Sequence, residues 1–107
     1  MTVSVSFVAQ GMTRQDYDQA SRALNQEPHA GLLLHTVAVV EGGLQILDIW
    51  DSAEAFQAFA QNTLGPGLAS MGFTEQPDIT VHDLYNIWVP APEDLASRGG
   101  PGSPADR

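Results

Sequence analysis

The stretch over residues 32–52, "LLLHTVAVVEGGLQILDIWDS", decides the fold. Two apolar runs, one ending at Val40 and one starting at Leu44, flank Glu41-Gly42-Gly43. A glycine pair between two such runs marks a tight β-hairpin. With Gly42-Gly43 as a two-residue turn, Val39 faces Ile46, Val37 faces Asp48, and His35 faces Trp50. Side chains alternate along a strand, so His35, Asp48 and Trp50 share one sheet face, with His35 diagonal to Asp48 and within reach of it. A one-residue change of register would part them.

Outward from the hairpin, Val3, Val5 and Phe7 alternate with Ser4 and Ser6, a period-two strand. Thr13-Arg14-Gln15-Asp16 reads as a capped helix start, followed at helical spacing by Tyr17, Ala20, Ala23 and Leu24. Residues 25–31, with Pro28 and Gly31, read as a loop. Asp51-Ser52-Ala53-Glu54 starts a second helix, whose apolar stripe is Ala55, Phe56, Phe59, Ala60 and Leu64. Gly65-Pro66-Gly67 is expected to interrupt it, with one more turn over residues 68–71. Residues 79–88 read as a fourth strand. From Pro90 onward the chain is rich in Pro and Gly and poor in core residues, so residues 90–107 are expected to be a disordered tail and residues 1–89 the domain.

The order β-α-β-β-α-β is the ferredoxin-like α+β pattern, with a four-stranded antiparallel sheet. Both faces of the hairpin are apolar, whereas two helices cover only one face of such a sheet. A second copy of the sheet is the expected cover for the other face, giving a homodimer.

Composition narrows the functional classes. At 107 residues the chain forms one domain, and its 43% hydrophobic content suits a globular core. No apolar run approaches the roughly 18 residues of a membrane span. Residues 1–5 lack the basic and apolar blocks of a secretory signal, so the expected location is cytoplasmic. Cys and Lys are both absent, which removes thiolate and side-chain Schiff-base chemistry. Thirteen acids against four arginines give a formal charge of −9, a field that repels nucleic acid and anionic membrane. The expected partner is a small apolar molecule.

His35 on a strand rich in Leu and Val reads either as a satisfied structural imidazole or as a general base oriented by Asp48. Trp50 is either core or an aromatic wall for a flat ligand, and Phe56 on the neighbouring helix belongs to the same apolar set. In "TVHDLYNIW", His82 and Tyr85 are three apart and point to opposite faces of a regular strand, unless a bulge intervenes. Tyr85 is a candidate hydrogen-bond donor to an oxyanion, with Asn86 as a weaker polar candidate. His29, His35 and His82 lack the close spacing of metal ligands, so no metal is expected. No phosphate loop or nucleophile elbow is present.

The stretches "GLLLHTVAVVEGGLQILDIWDSAEAFQAF" and "ITVHDLYNIW" together resemble the dimeric α/β-barrel superfamily, and specifically antibiotic-biosynthesis monooxygenase (ABM)-like small proteins. The resemblance covers about residues 2 to 89. Asp48, Trp50 and Ser52 match its most telling part. It implies a homodimer with a pocket between sheet and helices in each subunit. Members include cofactor-independent monooxygenases of aromatic polyketides, haem-degrading enzymes, polyketide cyclases and lactone isomerases. The quinone-forming monooxygenases are associated with an Asn, Trp and Arg set, and no expected strand here contains Arg. The cavity His and Asn of the haem-degrading branch have no positional match. The His-plus-Tyr chemistry of the cyclases is available from His35 or His82 with Tyr85. The resulting expectation is a cofactor-free acid–base enzyme with catalytic His35, Asp48 and Tyr85, and with Trp50, His82, Asn86 and Phe56 lining the substrate site. The alternatives are a non-catalytic small-molecule binder and a haem protein with His35 or His82 as axial ligand.

Overall fold

In the computed structural model, residues 1–24, 29–73 and 76–99 are described. The expected loop residues 25–28 and the last eight residues of the expected tail, 100–107, lie outside them. The elements are β1 (Val3–Gln10), α1 (Arg14–Leu24), β2 (Leu32–Val40), β3 (Gly43–Trp50), α2 (Ala53–Phe59), a π-helical turn (Ala60–Leu64), α3 (Gly65–Ser70), β4 (Thr80–Asp83) and α4 (Pro92–Ala96). The strands lie in the order β2-β3-β1-β4, and every neighbouring pair is antiparallel. This is the ferredoxin-like arrangement that the element order implies. No helix among the described residues is long and apolar enough to cross a membrane.

Pairing sets the faces. Val3 lies opposite Trp50, Val5 opposite Asp48 and Phe7 opposite Ile46, so these six residues share one side of the sheet. On that side Val3, Val5, Phe7, Ile46 and Trp50 form the buried core with Phe56, and Phe59, Ala60 and Leu64 pack against it. The helices therefore cover this face. Both expected helix caps form. The Thr13 and Asp16 side chains each accept from the other's backbone N–H, at 3.1 and 3.0 Å respectively, and Ser52 accepts from the Ala55 N–H at 3.1 Å.

The hairpin differs from its expected register by two residues. The turn is Glu41-Gly42, with Val40 opposite Gly43, Val37 opposite Ile46 and His35 directly opposite Asp48. The two glycines have separate roles. Gly42 adopts a φ of +84°, which the turn requires. Gly43 belongs to β3, where a Cβ would lie 2.2 Å from the Ala9 carbonyl oxygen. A shift of two preserves the faces, so His35, Asp48 and Trp50 stay on one side. A second irregularity falls between Leu32 and Leu34, where the strand bulges. Leu32 thereby pairs with Trp50 and packs on the core instead of pointing away, while Leu33 is left exposed.

The second helix does not break at Gly65-Pro66-Gly67. It widens instead, because the Gly65 N–H bonds to the Ala60 carbonyl five residues back, and the helix then resumes through Ser70. Pro66 has no N–H to place, so the wide turn ahead of it absorbs the lost register.

The fourth strand is shorter than its alternation suggests. β4 pairs with β1 only from Thr80 to Asp83, and the Leu84 N–H bonds to the Thr2 carbonyl. Beyond that point the ladder with β1 is not continued, and residues 85–88 run on outside the sheet. Within the expected tail, residues 92–96 form α4, a helix with no buried residue.

Gly43→Ala is expected to destabilise the chain by about 1–3 kcal/mol, the usual cost of overpacking. The Cβ would meet backbone rather than a movable side chain. Urea denaturation should show a lower midpoint at unchanged slope.

Candidate active site

A connected row of side chains crosses from α1 to β3. The Tyr17 hydroxyl lies 2.7 Å from His35 Nε2, and His35 Nδ1 lies 2.6 Å from Asp48 Oδ1. The Trp50 indole N–H donates to Asp48 Oδ2 at 3.3 Å. Ser21, one helical turn beyond Tyr17, adds a side-chain hydrogen bond to the phenol. The phenol and imidazole rings also stack, 21° from parallel.

Burial makes this row obligatory. Asp48 is 4% exposed, and a buried carboxylate needs partners for both oxygens. His35 and Trp50 supply them, and no buried side-chain polar atom among the described residues is left without a partner. The carboxylate can only accept, so His35 Nδ1 carries the proton. In the neutral ring Nε2 is then an acceptor, and the Tyr17 hydroxyl donates to it. The result is a directed relay: Tyr17 O–H to His35, His35 N–H to Asp48.

The row opens onto a cavity of about 80 Å³ between sheet and helices. Phe7, Ile46, Trp50, Phe59, Leu64 and Leu68 supply apolar walls. Tyr17, Ser21, His29, His35 and Asp48 supply the polar groups. The cavity exceeds the roughly 10–15 Å³ that one water needs. Among the described residues no Lys or Arg lines it.

Asp48, His35 and Trp50 are thus brought together, as their strand positions imply. Trp50 is fully buried and is both wall and donor, with Phe56 and Phe59 packed on its ring at 5.8 and 5.2 Å. Phe56 lies behind Trp50 in the core, and the helix residue that faces the cavity is Phe59. His82 lies opposite Ser4 on the sheet face away from the helices. Tyr85 is fully exposed, and Asn86 is exposed beside it. None of these three lines the cavity: His82 points to the other sheet face, and Tyr85 and Asn86 lie beyond the end of β4 at Asp83. The phenol next to the imidazole is Tyr17 instead. Sequence reasoning counted Tyr17 only as part of an apolar helical stripe. Its signal was the polar pair Tyr17 and Ser21, four apart and so on one helix face. His29, expected in a loop, also reaches the cavity and packs on Phe59 at 4.6 Å between ring centroids, the rings tilted by 60°.

Burial raises the Tyr17 pKa above its ordinary 10.0, with the negative charges of Asp48 and Asp18 adding to the effect and the Ser21 hydrogen bond opposing it. The folded chain therefore favours the neutral phenol. The associated stability is intact below the ordinary value and is lost as pH rises through the raised one. Relative to Tyr17→Phe, the native chain should lose about 1.4 kcal/mol per pH unit above about pH 10, until the folded phenol itself ionises. Urea titrations of both proteins across that range measure it.

Neither a family model nor a curated protein matches the chain. Solved structures do. A Chloroflexus aurantiacus protein described as a candidate antibiotic biosynthesis monooxygenase aligns with a TM-score of 0.61 at 14% identity, over 83% of this chain and 98% of that one. SnoaB, a cofactor-independent oxygenase from Streptomyces nogalater, aligns with a TM-score of 0.54 at 14% identity, over 84% and 97%. MhuD, solved with two manganese protoporphyrin IX molecules per active site, aligns with a TM-score of 0.51 at 18% identity, over 83% and 99%. At such identities the likeness is one of fold. The chain shares the ferredoxin-like α+β fold of these solved structures.

Proposed function

We propose that the chain is a cofactor-independent acid–base enzyme acting on a small, neutral, largely apolar molecule of aromatic or polyketide type. The observation that carries this reading is the Tyr17–His35–Asp48 relay opening onto an apolar cavity. A C–H proton beside a carbonyl, or a phenolic O–H proton, moves to the Tyr17 oxygen while the Tyr17 proton moves to His35 Nε2. The substrate is left as an enolate or phenolate. His35 becomes an imidazolium held against the Asp48 carboxylate, so the new positive charge is neutralised where it forms. Trp50 offers its face to a flat ring. An anion made in this way can close a ring, recover its proton at another carbon, or react with dioxygen. SnoaB, with the same fold, is an oxygenase that needs no cofactor, which supports the last route.

Two other readings have less support. A haem protein would need a free imidazole nitrogen, and both nitrogens of His35 are engaged, by Tyr17 and by Asp48. A non-catalytic binder would use the same cavity, but binding alone gives no role to a relay that ends on a buried carboxylate.

The reading includes a homodimer through the uncovered sheet face. Leu33 is 60% exposed and Leu47 40%, and the arm after β4 exposes Tyr85, Ile87 and Trp88 as well. Apolar exposure on this scale in a small chain favours burial against a second copy.

Deuterium exchange from D2O into cyclic 1,3-diketones and hydroxynaphthalenones, followed by proton NMR, tests the chemistry. The native chain should accelerate exchange, and His35→Ala, Asp48→Asn and Tyr17→Phe should each lower the rate by about a hundredfold or more. Tight binding of these compounds with exchange at the background rate would make the chain a binder. Sedimentation velocity at micromolar concentration should give a dimer, and Leu47→Glu should shift it toward monomer. A monomeric native chain would remove the homodimer.

A further inference from the structure

The cavity beside Tyr17 and His35 does not end in solvent-facing sheet. Its walls Phe7, Ala9, Met12 and Leu68 are shared with a larger groove of about 690 Å³ on their other side. That groove runs along the end of β1 toward the segment that follows α3, and includes Phe73 and Pro77. Its character differs from that of the cavity. Besides apolar surface its lining includes the polar residues Gln10 and Gln76 and the acid Asp78. No Lys or Arg among the described residues lines it.

Size separates the two spaces by task. A cavity of about 80 Å³ takes a single small ring, whereas the groove falls within the roughly 300–1,000 Å³ of ligand pockets in general. The partition between them is made of side chains, and one of them is Met12, 7% exposed. A methionine has three rotatable bonds and a soft thioether, so it yields to a ligand more readily than a branched residue would. The chemistry of the groove then specifies what lies in it. Asp78 attracts cations and hydrogen-bond donors and repels carboxylates, while Gln10 and Gln76 offer both donors and acceptors.

We infer that the groove bounded by Gln10, Gln76 and Asp78 is a second subsite, so that the ligand is elongated and amphipathic. Its ring sits in the cavity beside Tyr17, and its cationic or hydroxyl-rich end lies in the groove past Met12. The inference rests on the proposed reading of the cavity and adds to it the class of the substrate: a hydroxyaromatic head bearing an aminated or polyhydroxylated extension, and not an acidic one.

Three probes test this: phenol, p-(6-aminohexyl)phenol and 6-(p-hydroxyphenyl)hexanoate. Binding to the native chain is followed by NMR, reading the side-chain amide signals of Gln10 and Gln76 alongside the Tyr17 ring. All three should move the Tyr17 signals, but only the tailed probes should move the amides. The ammonium tail should raise affinity over phenol about tenfold, and should bind more tightly than the carboxylate tail. Asp78→Asn should shrink the ammonium-to-carboxylate ratio about threefold, whereas Glu54→Gln, an exposed acid on α2, should leave the ratio as it was. The subsite is overturned if the ammonium-tailed probe binds no better than phenol, if the amide signals stay still, or if Asp78→Asn and Glu54→Gln change the ratio equally. Failure of the cavity reading looks different. Phenol would then leave the Tyr17 ring signals unmoved, or would bind equally well to Tyr17→Phe, whatever the tails do in the groove.

Discussion

A carboxylate buried in the middle of a sheet dictates most of what surrounds it. Asp48 sits on β3 between β1 and β2, opposite Val5 on one side and His35 on the other. Left unpaired there, it would cost several kcal/mol of desolvation. The hairpin register removes that cost by placing His35 directly across the ladder, and Trp50 reaches back two residues to satisfy the second oxygen. Fixing the Asp48–His35 contact orients the ring so that Nε2 faces α1, where Tyr17 meets it. Stability and chemistry therefore depend on one arrangement. The groups that keep the carboxylate satisfied are the groups that make the imidazole a proton acceptor.

The apolar surroundings complete the effect. Phe56 meets the Trp50 ring edge-on and Phe59 meets it at a tilt, and Phe7 and Ile46 close the sheet side of the cavity. Exclusion of water strengthens each charge-bearing hydrogen bond in the row. It also favours the neutral phenol of Tyr17. The fold is shared with proteins that include oxygenases, and the row of side chains is where this chain's own chemistry would reside.

Much of this was legible in the sequence because the signals were local. The glycine turn, the period-two strands and the Thr13 and Ser52 caps specify the hairpin and the helices without tertiary context. They also place His35, Asp48 and Trp50 on one face. What sequence periodicity missed depended on distant partners. The turn moved back to Glu41-Gly42 because Gly43 had to lie against the Ala9 carbonyl on β1, a contact across the sheet. The alternation of residues 84–88 suggested a longer strand, but pairing with β1 stops at Asp83. Pro66 read as a break because a π-helical turn leaves no clear mark in sequence. Tyr17 was hidden by its dual nature, since an apolar ring at helical spacing looks like core until the strand it faces is known to carry an imidazole.

The two tryptophans stand in opposite environments. Trp50 is 0% exposed with its indole N–H on the Asp48 carboxylate, whereas Trp88 is 81% exposed. In a single copy their fluorescence is separable by a soluble quencher such as acrylamide, which reaches Trp88 first, whereas a second copy seated on the arm would shield it. The blue-shifted emission that remains comes from a ring in contact with both the relay and the cavity. The protein thus carries an intrinsic optical reporter of its own site, with no label introduced.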